Sequence, residues 1–269
     1  MQNYSEELNF SKEIAFEAGK ILSKHFGNIK TINKKSSYVD LVTKADLKSE
    51  NLLVRCIQKK FPKHNIITEE SDLKENKSDF RWVLDPLDGT TNFVHNLPIF
   101  AVSIGLQYRK KTILGVVYNP AADKMFYASK NNNSYLNGNL INISSSKTLS
   151  DSLIVTGFPY LKDDKWDKSF DIFKDIYLQT RGVRRLGAAA LDLCFVAMGR
   201  FEAFYEFNLK PWDICAGAII AKEAGASVTD WNNKPYQFSG NRILATNTKI
   251  HKAMVDILTK DDYKVIFEK

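Results

Sequence analysis

Asp85 and Asp88 are separated only by Pro86 and Leu87, and Gly89-Thr90-Thr91-Asn92-Phe93 follows directly. Two carboxylates this close repel each other or share a proton, so ionising both requires a compensating cation. An all-oxygen donor set suits a hard divalent ion such as Mg2+, which takes one or two carboxylates, keeps waters and accepts substrate phosphate as a further ligand. The apolar residues before Asp85 and the polar ones after Gly89 predict a proline-constrained turn between a strand and a helix start. Gly89 permits close backbone approach, and Thr90 and Thr91 open a helix whose unpaired N–H groups can receive a phosphate. Taken alone, Asp-x-x-Asp-Gly-Thr is equally the pattern of an ordinary capped strand-to-helix connection.

Two distant segments add acids of the same kind. Ile66-Ile67-Thr68-Glu69-Glu70-Ser71 reads as an apolar strand ending in two acids. Lys210-Pro211-Trp212-Asp213-Ile214-Cys215-Ala216-Gly217-Ala218 reads as a helix start, with Pro211 in the first turn and Asp213 close behind. Three strand ends or helix starts thus each deliver a carboxylate with no local need for one.

On these motifs the chain resembles the inositol monophosphatase family, most of all its bacterial branch, from the first helix to about residue 247. One family signature corresponds to residues 85–93 and the other to 212–218, with Glu223-Ala224-Gly225-Ala226 following. The resemblance implies metal ligands at Glu69, Asp85, Asp88 and Asp213 together with the Leu87 carbonyl. It implies Mg2+ as cofactor, two or three ions per active site, with Asp85 shared between ions and Asp88 and Asp213 on the second. Glu69, Thr90 and Asp85 are the implied catalytic residues, Glu69 and the Thr90 hydroxyl orienting the attacking water. Gly89 and Thr90 are the implied phosphate contacts, and Asp88, Gly187, Ala188, Ala189, Glu206 and Asp213 the implied substrate contacts. Many relatives carry a hydroxyl residue where this chain has Ala188. Of the adjacent acids Glu69 and Glu70, alternation along a strand end points only one inward, and the resemblance selects Glu69. Lys35 and Asp40 fall where the family has a mobile loop that helps recruit a further metal; Asp40 and Asp46 also read as caps around residues 41–43.

The expected reaction is Mg2+-dependent hydrolysis of a phosphate monoester, myo-inositol monophosphate first. Fructose 1,6-bisphosphate, NADP and adenosine 3',5'-bisphosphate are the alternatives within the superfamily. Thr91-Asn92-Phe93 is similar to the inositol branch, whereas the nucleotide branch usually has Lys-Glu-Phe there. The resemblance also implies a homodimer and sensitivity to lithium.

With 269 residues, 44% of them hydrophobic, the chain can bury a core of one large domain or two packed halves, and disorder is not expected. The net charge of +7 comes from lysines scattered among acids, the pattern of a solvated surface that leaves some excess to attract an anionic substrate or a nucleic acid. Arg181, Arg184 and Arg185 form a basic cluster that offers RNA or a transcription complex a surface, and equally edges a strand or supports a subunit contact. Cys56, Cys194 and Cys215 lie in separate apolar segments and read as buried free thiols of a reducing compartment. Neither they nor His25, His64, His95 and His251 form the close pairs of a zinc site. Gly187-Ala188-Ala189-Ala190 lacks the glycine spacing of a dinucleotide fingerprint. No secretory signal is visible, and the longest nearly apolar stretch, residues 214–221, is far short of the roughly 20 residues of a membrane helix. A cytoplasmic protein without a membrane segment is expected.

Periodicity predicts a first helix striped by Phe10, Ile14, Ala18, Leu22 and Phe26 and stopped at Gly27, and a second over residues 43–61. Residues 33–40 read as a mobile surface loop. Short strands are expected at 65–68, 81–84, 101–108, 112–118 and 124–128, with turns at Arg109-Lys110-Lys111 and Asn137-Gly138. Beyond Ser144-Ser145-Ser146, strands at 153–157, 182–185 and 203–206 alternate with helices at 165–177, 188–198 and 211–224. That alternation makes the fold class α/β (α+β), and the resemblance implies a layered α-β-α-β-α sandwich of the sugar phosphatase type. The expected halves are residues 1–146, carrying Glu69 and the 85–90 motif, and 147–269, carrying Glu206 and Asp213.

Overall fold

Phe10, Ile14, Ala18 and Leu22 are all buried, so the first helix, α1 (Ser5–His25), lays a single apolar stripe against a sheet. A computed structural model of the chain describes residues 4–28, 32–34, 41–71, 73, 76–159, 163–237 and 241–267. After α1, β1 (Ile32–Lys34) pairs antiparallel with β2 (Leu41–Thr43), and α2 (Lys44–Lys60) starts at once. Asn33 and Lys34 thus belong to a strand and not to the expected loop, because the backbone of 32–34 pairs with 41–43. Lys35 and Asp40 lie outside the described residues.

Seven strands follow: β3 (Asn65–Thr68), β4 (Phe80–Asp88), β5 (Ala101–Tyr108), β6 (Lys111–Asn119), β7 (Lys124–Ser129), β8 (Ser134–Leu136) and β9 (Asn139–Ile141). They form one sheet in chain order, with β3 and β4 parallel and every later pair antiparallel. A short helix, α3 (Thr90–Val94), interrupts the chain between β4 and β5. Asn137 and Gly138, at φ 49° and 86°, make the tight turn between β8 and β9.

The second half runs β10 (Leu153–Thr156), α4 (Asp164–Tyr177), β11 (Gly182–Arg184), α5 (Ala189–Ala197), β12 (Ala203–Phe207), α6 (Pro211–Glu223), β13 (Ser227–Thr229), β14 (Arg242–Thr246) and α7 (His251–Leu258). Its sheet has the order β11-β10-β12-β14-β13, with β10 parallel to both neighbours and β14 antiparallel to both of its own.

Three apolar clusters define the layers. Residues of α1 and α2 pack on one face of the first sheet through Trp82, Leu84 and Ile104. The central cluster joins α5 and α6 to the inner faces of both sheets, through Val117 and Phe126 on one side and Val155, Phe204 and Ala245 on the other. Outside the second sheet, Ile172 and Ile176 of α4 meet Met254 and Leu258 of α7. The order is therefore helix, sheet, helix, sheet, helix, the layered sandwich of the sugar phosphatase type. Residue 146 falls in the strand-free stretch between the two sheets.

Two further sequence expectations need correction. The turn placed at Asp85 to Asp88 is strand: β4 runs through Asp88, and its register with β5 shifts between Asp85 and Asp88. Pro86 sits inside that irregularity, where a missing N–H costs no ladder bond. The elements β13, β14 and α7 were not foreseen; β14 lies between β12 and β13, so Ile243, Leu244, Ala245 and Thr246 are buried in succession without alternation.

Candidate active site

Asp85 and Asp88 leave the irregular end of β4 buried, at 2% and 7% exposure. The N–H of Leu87 donates to Asp85 Oδ1 at 3.0 Å, which fixes that carboxylate against its own loop. Asp88 reaches across to the second half of the chain, where its Oδ2 accepts the N–H of Ala190 at 2.9 Å in the first turn of α5. Asp213 performs the matching task on α6, its Oδ2 accepting the N–H of Lys210 at 2.7 Å. Both acids thus sit at helix N-termini, where unpaired N–H groups and the helix dipole favour negative charge.

Burial pushes the Asp85 carboxyl well above the usual carboxylate range, and the negative charges of Glu69, Asp88 and Asp213 push it further. Asp88 is raised well above that range by burial, then by Asp213 and Glu69, against the N–H groups of Ala190 and Ala189. Glu69 and Asp213, from two other places in the chain, therefore lie near enough to Asp85 and Asp88 to act on both. Glu70 is absent from these couplings; its N–H is spent on Glu50 Oε2 at 3.0 Å. Among the described residues, no three His, Cys, Asp or Glu side chains form a finished metal cage. The mutual destabilisation of hard oxygen donors is nevertheless the electrostatic problem that a divalent cation relieves, and the donor chemistry fits Mg2+.

Gly89 makes the turn from β4 into α3 at φ 87°, and a Cβ there would stand 2.8 Å from the Ile99 carbonyl oxygen and 3.2 Å from the Ala188 Cβ. Only glycine fits both the backbone angle and the space. The next residue, Thr90, donates its hydroxyl to the Leu87 carbonyl at 3.0 Å and lies 3.2 Å from Asp46 Oδ1.

Asp46 is the first residue that sequence reading undervalued. It closes the capping box of α2 with Thr43, as expected, its Oδ2 accepting the Thr43 N–H at 2.9 Å and hydroxyl at 2.5 Å. Its other oxygen faces Thr90, and burial raises the carboxyl to about 6 despite the two Thr43 bonds. Glu50, one turn further along α2, is the second. It is 4% exposed and accepts from the Thr68 hydroxyl at 2.8 Å, the Glu70 N–H and the Ser71 hydroxyl, bracing the strand end that carries Glu69. The Thr43-x-x-Asp46 spacing could have signalled the cap, but nothing local announces the reach to Thr90.

Further buried groups near these acids come from β12, α5 and the turn before it. Glu206 is buried on β12, and a Cβ on Gly157 would fall on its carboxylate. Burial lifts Glu206 to about 8; Asp213 adds to the rise and Arg185 opposes it. Gly187, at φ 83°, precedes Ala188 and Ala189, both buried at the start of α5. Asp192 is buried on α5 with Oδ1 unpartnered, raised first by burial and then by Glu206 and Asp88.

The model of the inositol monophosphatase family matches residues 3–261. The chain belongs to the inositol monophosphatase family. Members of this family are metal-dependent phosphatases. Within it, the chain is 39% identical over 254 residues to the protein named putative Nus factor SuhB of Neisseria meningitidis serogroup B, covering 94% of this chain and 97% of that protein. It is 37% identical over 261 residues to the fructose-1,6-bisphosphatase/inositol-1-monophosphatase of Aquifex aeolicus, covering 97% and 98%. The solved inositol monophosphatase of Anabaena superposes with a TM-score of 0.85 at 37% identity over 96% of each chain. Cys194 and Cys215 of this inositol monophosphatase family member are buried and Cys56 half-buried, all three as free thiols. Among the described residues no helix is long and apolar enough to cross a membrane.

Proposed function

We propose that the protein hydrolyses phosphate monoesters with Mg2+, acting on myo-inositol monophosphate and on related sugar or polyol phosphates. The observation that carries this reading is the burial of Asp85 and Asp88 just ahead of α3, with Glu69 and Asp213 near enough to raise both carboxyls further. These four side chains and the Leu87 carbonyl would hold the metal. Bound divalent ions neutralise phosphate charge and lower the pKa of water towards neutrality.

The chain's own groups do the rest. The N–H groups of Gly89 and Thr90, lacking helical acceptors at the head of α3, receive phosphate oxygens. The Thr90 hydroxyl, backed by Asp46 Oδ1, and the Glu69 carboxylate orient the attacking water. Glu206 accepts a substrate hydroxyl, while Gly187, Ala188 and Ala189 shape the wall beside it. Fructose 1,6-bisphosphate, NADP and adenosine 3',5'-bisphosphate are the competing substrates. We propose further that the protein is a cytoplasmic homodimer and is inhibited by lithium.

The test is phosphate release from this panel with Mg2+ and with chelator. Asp88→Asn and Asp213→Asn keep an amide oxygen for the Ala190 and Lys210 N–H groups, so both variants stay folded while losing most activity. Unchanged phosphate release by both refutes the metal assignment, and a strong preference for the nucleotides overturns the sugar reading.

A second reading, binding to RNA or a transcription complex, draws on the relatives named Nus factor. Arg181 is exposed but ion-paired with Asp151 at 2.7 Å, and Arg184 is exposed on edge strand β11. RNA affinity that falls steeply with salt, and again on Arg184→Ala, supports this reading; no salt-sensitive binding removes it.

A further inference from the structure

Arg185 is exposed, and its guanidinium folds back towards Gly187 at the start of α5. A Cβ on Gly187 would stand 2.6 Å from Arg185 Nη1 and 3.3 Å from Asn92 Nδ2, so the missing side chain is what admits the guanidinium. Asn92 itself is committed, donating to the carbonyls of Ile99 at 2.8 Å and Leu186 at 2.7 Å, which secures the turn on which Gly187 sits. Arg185 acts electrostatically on both Glu206 and Asp192, which sets it beside the wall that carries those two acids. Among the described residues it makes no hydrogen bond or salt bridge. The fully buried Asp192 Oδ1 has no hydrogen-bond partner either, so the guanidinium is near the acids without being consumed by them.

The wall beside it otherwise presents the carboxyls of Asp192 and Glu206, which take hydroxyls and offer an anion no positive charge. A guanidinium has five donors, no acceptor and a planar fork matched to phosphate oxygens. We propose that Arg185 is a specificity-determining residue that receives a second phosphate on a sugar or polyol whose scissile phosphate lies at the head of α3. The assignment rests on the phosphatase reading above. Glu206 and Arg185 then divide the work: the carboxylate takes hydroxyls, and the guanidinium admits a distal anion that the acids alone would exclude.

The experiment compares kcat/KM for fructose 1,6-bisphosphate and inositol 1-phosphate at saturating Mg2+ in wild type, Arg185→Gln and Arg185→Lys. Arg185→Gln lowers the bisphosphate-to-monophosphate ratio by about tenfold, the size of one well-placed charged contact, mainly through KM for the bisphosphate. Arg185→Lys, which keeps the charge and loses the fork, recovers part of that ratio. An unchanged ratio in Arg185→Gln, or equal losses on both substrates with no recovery in Arg185→Lys, overturns the role of Arg185 while leaving the phosphatase reading intact. A wild-type protein inert towards both esters sinks that reading, and this assignment with it.

Discussion

Carboxylates held together by burial are the ones a fold without cations most resists ionising, and Glu206 shows the consequence for stability. Its carboxyl rises from an ordinary 4.5 to about 8, through burial first and Asp213 second. Between those values the folded chain holds a proton that the unfolded chain has released. Stability from this group is therefore full below pH 4.5 and is lost as pH rises through 8. In chelator, Glu206→Gln melts above wild type at pH 9, by an effect on the order of a few kcal/mol, and the gap closes towards pH 4. Equal melting temperatures at pH 9 would show that the carboxylate is solvated there. Thr90 offers a kinetic counterpart. Removing the hydroxyl that links the Leu87 carbonyl to Asp46 by Thr90→Val lowers kcat roughly 100-fold in a folded protein, and Thr90→Ser retains most activity.

At the scale of elements, α2 is a bracket for the site as much as a cover for the sheet. Thr43 and Asp46 cap it, Ser49 donates to the Pro86 carbonyl at 2.8 Å, and Glu50 ties down the end of β3. One helix face thereby fixes both the irregular stretch of β4 and the strand end that carries Glu69. Glu50→Ala leaves the Thr68 and Ser71 hydroxyls and the Glu70 N–H without their acceptor, which costs about 1–3 kcal/mol for each donor that stays dry. Both the melting temperature and phosphate release fall together in this variant; a protein that loses stability alone would show that Glu69 keeps its place without the brace. Gly89→Ala is harsher, since the left-handed backbone and the Ile99 carbonyl at 2.8 Å oppose any side chain.

For the molecule as a whole, the candidate site draws on elements from both sides of the strand-free stretch between the two sheets. Asp85 and Asp88 come from the first sheet, Asp213 from a helix of the second half, and the Asp88 bond to Ala190 crosses between them. An ion held by acids from both halves stabilises the folded state by mass action, about 2.7 kcal/mol at a hundred times its Kd. Mg2+ accordingly raises the melting temperature of chelator-treated wild type, and Asp213→Asn loses most of that increment while remaining folded. An increment of the same size in both would show that Asp213 does not hold the ion.

Much of this was legible in the chain. The stripe of Phe10, Ile14, Ala18 and Leu22, the Thr43 cap, the Pro211 helix start and the Asn137-Gly138 turn are local rules, and each reappears within a residue or two. The four acids were expected from the family resemblance and not from a local rule, and Asp213 also serves its own helix by accepting the Lys210 N–H. Other features were beyond any local pattern. The strand character of Asp85 to Asp88 depends on β5 alongside, and β14 is recognisable only between its two neighbours. Asp46 facing Thr90, Glu50 under the strand end and Arg185 over Gly187 join residues distant in sequence or turn a side chain in a direction that spacing does not specify. Residue type and spacing decide which elements form and which groups can do chemistry; the packing of helices between two sheets decides which of those groups share one desolvated space.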